Sequence, residues 1–186
     1  MHMGFRFVAV VVCAVIAGCA GGKSASLDLA LVTVSVLGPD FSGQHAHGVG
    51  ARLDVKQSSG GATQLSYPPM SLRSCESENN CSLGIGVVEG TAQIVSVSAT
   101  KVTVAVDLNY RVGRSHVIDV KGHYFKDEIP QDAKALSANE RIVRRIDVGY
   151  GEAIHIPLPY GVDLAMCAQH HYEGEIMPDR SICQGY

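Results

Sequence analysis

Histidine is the residue type in this sequence best suited to a chemical site, and eight are present. His45 and His47 stand at i and i+2. In a strand that spacing puts both imidazoles on one face, where both can reach a single metal ion. Gly43 and Gly48 flank them, which favours a loop as much as a strand. His170 and His171 end the run Met-Cys-Ala-Gln-His-His that starts at Met166 and Cys167. Imidazole, thiolate and thioether together suit copper(I) or zinc. Neither group has a CxxC or HExxH spacing, and paired histidines in polar loops are usually solvated. The sequence therefore predicts no metal and no other cofactor, with His45, His47, His170 and His171 as the ligands should one bind.

Other chemistry finds less support. No G-x-S-x-G is present. Ser115, His116 and Asp119 are close in sequence, but neighbouring strand residues point to opposite faces, so Ser115 and His116 cannot act together. Gly84, Gly86 and Gly90 do not fit G-x-G-x-x-G and open no helix; they read as turns or bulges. Carboxylates are scattered, with no pair marked out for acid–base work. No catalytic residue is expected, and the chain reads as a non-enzyme.

The cysteines fit an oxidising compartment. Besides Cys13 and Cys19 there are four: Cys75, Cys81, Cys167 and Cys183. Four cysteines allow three pairings. Cys75–Cys81 and Cys167–Cys183 are favoured because both close local loops, each stabilising by roughly 2–3 kcal/mol. Four free thiols or a zinc site are the alternatives. The first loop, Cys-Glu-Ser-Glu-Asn-Asn-Cys, is acidic and could form a recognition tip or simply a structural clamp. Arg141, Arg144 and Arg145 form the one small basic cluster. They could pair with acidic groups on another protein, although a solvated strand face explains them too.

The elements that must hold these residues are strands. From Leu27 the pattern has period two, with Val32, Val34 and Val36 alternating with Thr33 and Ser35 as in a half-buried strand. Val49 to Val55 and Thr63 to Tyr67 follow. Leu83–Val88 and Thr91–Ser98 read as two further strands. Lys101–Val112 puts Val102, Val104, Val106, Leu108 and Tyr110 on one face. Ser115–Phe125 is predicted to pair back on it through the three-residue loop Gly113-Arg114-Ser115, setting Tyr110 opposite Ile118 and Leu108 opposite Val120. The preceding turn is placed at Thr100-Lys101. Gln131–Asn139 could make one or two helical turns. Arg141–Val148 alternates, and Glu152–Leu158 and Val162–Cys167 flank Pro159-Tyr160-Gly161 as a hairpin-like pair. Pro157 and Pro159 confine the first of these to a sheet edge, where a partner strand could add. The tail from Gln169 reads as irregular. About ten short strands predict an all-β fold: an immunoglobulin-like β-sandwich, or alternatively a small β-barrel, after an N-terminal signal helix.

That N-terminal segment is an apolar run from Phe7 to Ala17, preceded by Arg6. As a helix it would be about 16 Å long, too short to span a bilayer, which takes about 20 residues. It fits the apolar part of a secretory signal. The run ends in Ile16-Ala17-Gly18-Cys19, which resembles the lipobox of bacterial lipoproteins. The resemblance covers the leader alone. It implies cleavage before Cys19, a lipid on the Cys19 sulfur and a fatty acid on its new amino group. In enteric lipoproteins an Asp after the cysteine causes inner-membrane retention, so Ala20 implies the outer membrane, with the protein on its periplasmic face. The expected organisation is a signal peptide over 1–18, a lipidated tether over 19–26, and one β domain over 27–186 with a disulfide-tied tail.

Composition agrees with a globular exported domain, 46% hydrophobic and 18% charged. Without Arg6, fourteen basic residues face eighteen acidic ones, a balance of about −4. That leaves no basic footprint for nucleic acid. Tryptophan is absent, which is thin for a carbohydrate-stacking surface. The sequence thus points to a lipid-anchored, non-catalytic structural or protein-binding accessory of the cell envelope, with another envelope protein as partner. A periplasmic copper or zinc binder, and an envelope hydrolase or an inhibitor of one, are the alternatives.

Overall fold

Period-two alternation becomes strand almost throughout. The computed structural model describes residues 29–38, 52–56, 61–120, 123–171 and 183. Among these the fold is all-β, with no α-helix. The strands are β1 (Leu29–Leu37), β2 (Arg52–Lys56), β3 (Thr63–Ser66), β4 (Met70–Ser77), β5 (Asn80–Val97) and β6 (Lys101–Gly113). They continue with β7 (Ser115–Val120), β8 (His123–Glu128), β9 (Lys134–Ala135), β10 (Ala138–Gly149), β11 (Ala153–Pro157) and β12 (Asp163–His171). One sheet has the order β11-β12-β1-β2, and a larger one runs β10-β6-β5-β3, with β4 and β9 also on β5. Among the described residues all strand pairings are antiparallel except the two-residue contact of β9 with β5, and an isolated bridge from Tyr150 to Ala168 is also parallel. Among the described residues neither sheet closes on itself, so the barrel alternative is set aside.

β5 is the axis of the larger sheet. It was expected as two strands broken near Gly90, but it runs unbroken over 18 residues. One of its edges takes β6 from Ile85 to Val97 and then β9 at Ser82 and Leu83. Its other edge takes β3 at Glu89–Ala92 and β4 beyond Gly86. The glycines inside it are close-approach positions, not turns. A Cβ on Gly90 would lie 2.1 Å from the Asp107 carbonyl oxygen, and its φ of +151° is one that other residues rarely adopt. A Cβ on Gly86 would lie 2.8 Å from the Leu72 side chain. The β5–β6 turn falls one residue earlier than expected. A register shift between Ile94 and Ser96 leaves Val95 exposed. Ser98 then closes the turn, its amide donating to the Lys101 carbonyl at 2.9 Å and its Oγ accepting from the Lys101 amide at 3.2 Å.

The expected hairpin between β6 and the next strand is not formed. β6 has both edges occupied, by β5 and by β10. The chain therefore leaves the sheet at Gly113, and β7 pairs with β8 instead, Ile118 facing Phe125 rather than Tyr110. Arg114 pinches the base of this excursion. Its guanidinium donates to the carbonyls of Pro130 (2.9 Å), Gln131 (3.3 Å) and Ala133 (3.0 Å), and its own carbonyl accepts from the Ile129 amide. The helical turns expected over Gln131–Asn139 are likewise absent: β9 adds to β5, and the Leu136 amide donates to the Leu83 carbonyl at 2.7 Å. The pair flanking Pro159-Tyr160-Gly161 does form, and β11 is an edge strand ending at Pro157.

One apolar cluster is fed by both sheets, from Val32, Val34 and Val36 of β1, Leu164 and Met166 of β12, and Val102, Val104, Val106, Leu108 and Tyr110 of β6. The far side of β1 and β12 is buried as well, correcting the half-buried reading: Leu31, Thr33, Ser35, Ala165, Cys167 and Gln169 are each at most 3% exposed. Cys183, bonded to Cys167 and fully buried, sits on that side. β12 itself continues through Gln169 to His171, where an irregular tail was expected.

Two tyrosines cross the core. The Tyr67 hydroxyl donates to the Val34 carbonyl at 2.9 Å, and the Tyr110 hydroxyl to the Pro159 carbonyl at 2.9 Å. Burial pushes both phenols well above their usual range. The folded chain keeps protons that the unfolded chain releases, so stability is full below about pH 10 and falls as pH rises beyond it. Tyr67→Phe should cost about 1 kcal/mol in urea unfolding at neutral pH, because it removes a buried hydrogen bond. It should also flatten the alkaline loss. Gly90→Ala should cost about 3 kcal/mol or more in the same measurement, since backbone must move to admit the methyl.

Candidate interaction surface

β10 supplies the surface. It is an edge strand, paired with β6 from Ala138↔Val112 to Gly149↔Lys101. Among the described residues its other edge pairs with nothing. The alternation of the sequence sets its two faces. Ile142, Arg144, Ile146 and Val148 lie on the core side, and Ile142 and Val148 are buried there. Arg141, Val143, Arg145 and Asp147 lie on the outer side, alongside Thr103, Ala105, Asp107 and Asn109 of β6.

Most charges on that outer face are internally matched. Arg141 grips Asp107 with two hydrogen bonds, Nε to Oδ1 at 2.9 Å and Nη2 to Oδ2 at 2.8 Å. Those bonds hold the Asp107 carboxyl below the usual carboxylate range and raise Arg141 above its own. Asp147 accepts from Lys101 Nζ and from Thr103 Oγ1 at 2.6 Å, and the lysine bond first, then the threonine bond, depresses its pKa. Arg111 pairs with Glu89. The basic cluster read from sequence is thus divided. Arg141 is consumed, whereas among the described residues Arg144 and Arg145 have no ion pair. Between them and β5 lies a shallow cavity of about 310 Å³, bordered by Val143, Thr91 and Gln93. Val143 is 62% exposed, the most exposed large apolar side chain among the described residues.

The acidic cysteine loop is a hairpin tip joining β4 to β5. Cys75 and Cys81 face each other across it at disulfide distance, 2.05 Å between sulfurs. Arg73 lies over both sulfurs at 3.2 Å. Glu76 accepts from Asn80 at 2.8 Å and from Lys134 at 3.2 Å, so part of its charge is spent locally. Cys167 and Cys183 are also at disulfide distance, which matches the favoured pairing.

Among the described residues the candidate metal ligands form no cluster. Cys19, His45 and His47 lie outside the described residues. Met166 is in the core and the Cys167 sulfur is bonded to Cys183. His170 lies in β12, the strand that ends at His171. The His170 ring stacks on Tyr150, with centroids 3.6 Å apart. Among the described residues no three His, Cys, Asp or Glu side chains gather as a metal site. A contact missed in the sequence is the pairing of His155 Nδ1 with Asp163 across β11 and β12. The strand periodicity around Ile154 and Leu164 carries the signal that aligns them. The unpaired β10 edge was also not foreseen, since an edge exists only once the strand order is known. Compared with known proteins, the chain matches no protein-family model, no curated protein and no solved structure.

The carboxylate of Asp107 should titrate below about pH 3.9 by NMR and return toward that value in Arg141→Ala. Because its pKa is depressed, the pairing is intact above that range and is lost as pH falls through the folded value. Replacing Cys75 and Cys81 together by Ser should cost about 2 kcal/mol in urea unfolding, and Cys167 with Cys183 about 3, because the second pair closes the longer loop.

Proposed function

We propose that this chain is a lipid-anchored cell-envelope protein, held at Cys19 on the periplasmic face of the outer membrane. Its β domain, an immunoglobulin-like sandwich, acts there as a non-catalytic accessory that binds another envelope protein. The single observation that carries the binding role is β10: a twelve-residue strand whose outer edge, among the described residues, pairs with nothing, with Val143 exposed and two arginines that have no ion pair there. Edge strands are usually shortened, covered or broken by proline. β11 follows that rule, being five residues long and ending in Pro157, whereas β10 does not. The lipobox-like Ile16-Ala17-Gly18-Cys19 supports the anchor, and the two cysteine pairs support an oxidising compartment. Several acyl chains hold a protein to a bilayer essentially permanently, at about 0.8 kcal/mol per buried methylene.

Cells expressing the full chain with radiolabelled palmitate should incorporate label into it and lose that label in Cys19→Ser. A photo-crosslinking residue at Val143 should trap a second envelope protein. A soluble chain with its leader intact would remove the anchor, and crosslinks absent at Val143 and at every other exposed strand position would remove the binding role.

A further inference from the structure

The β10 edge also says what kind of segment it would take, an inference that rests on the protein-binding reading above. Arg144 and Arg145 are consecutive, so one guanidinium serves each side of the sheet. Arg144 sits between Ile142 and Ile146 on the core side, and Arg145 sits beside Val143 on the outer side. A strand added along this edge would place two consecutive residues opposite them, one on each face. Like charges directly opposite repel across strands and opposite charges attract. A second copy of β10 running antiparallel and centred on Arg144 or Arg145 would set that arginine against its own copy, so symmetric self-pairing over this stretch is disfavoured. An apolar strand would strand both cations beside a new interface.

We propose that β10 accepts an extended segment of another protein carrying two adjacent carboxylates flanked by apolar residues. The carboxylates would face Arg144 and Arg145. The flanking apolar side chains would cover Val143 on the outer side and Ile146 on the core side, both of which retain exposure. Main-chain hydrogen bonds along the open edge supply attraction without sequence preference, and the two arginines supply the choice of partner. The same pair would turn away strands that lack the acidic dipeptide, which lets so long an edge remain open without aggregating.

The test uses the full chain in mild detergent and an eight-residue peptide centred on Val-Glu-Glu-Val, followed by amide NMR. Shifts should concentrate in residues 138–149 and weaken with added salt. Affinity should fall at least tenfold for Arg144→Glu with Arg145→Glu. It should fall as far for a Val-Lys-Lys-Val peptide, and for a peptide with proline inside the acidic core. The variant Ser71→Thr, exposed on β4 and away from the β10 edge, should bind as wild type and show that the sheet is intact. The proposal is overturned if the acidic peptide leaves 138–149 unmoved, if the double variant binds it equally, or if the chain pairs with itself through this edge. Crosslinks at Val143 together with a silent peptide would sink only this inference. Peptide binding by a chain that is never lipidated would sink only the anchor.

Discussion

Every strand of the larger sheet except β10 pairs directly with β5 through main-chain hydrogen bonds. A strand of 18 residues presents more donors and acceptors than one neighbour can use. The chain answers with β6 and β9 on one side and β3 and β4 on the other. The constraint is tightest at Gly90, where β5 passes so near the Asp107 carbonyl that no Cβ fits. That approach holds β6 in the register that buries Val102 through Tyr110. Once β6 is held there, its free edge has one use left, and β10 takes it.

The consequence for function is a division of charge. Cross-strand neighbours on the outer face are close enough to neutralise each other, and Arg141, Lys101 and Arg111 all do so. Exposed pairs of this kind contribute little to stability. Their effect is to leave the face electrically quiet except at its rim. At the rim, among the described residues, no further strand supplies a carboxylate, so Arg144 and Arg145 stand without an ion pair beside the outer edge of β10. Specificity for a partner then follows from where the sheet stops.

Some of this was legible in the residues. Alternating valines over Lys101–Val112 identified both the strand and its buried face, because one period-two pattern has one physical reading. The cysteine pairing was legible because short loops close most readily. The hairpin expected after Gly113 failed for a different reason. Facial matching between Tyr110 and Ile118 was sound locally, yet β5 and β10 compete for the same edges and win with longer runs of hydrogen bonds. Gln131–Asn139 failed similarly, since a helical turn offers nothing to the open amide and carbonyl of Ser82 and Leu83, and β9 does.

By itself the sequence determined what each segment could be: strand or turn, inward face or outward face, and which cysteines stood near enough to meet. Those properties are set within about ten residues, by side-chain period, by glycine and proline, and by loop length. The tertiary structure alone decided which strands became neighbours, and with that which strand lies at the rim and, among the described residues, which arginines found an ion pair. Pairing is a competition among distant segments for shared hydrogen bonds and a shared core, and its outcome appears only when all of them are present together.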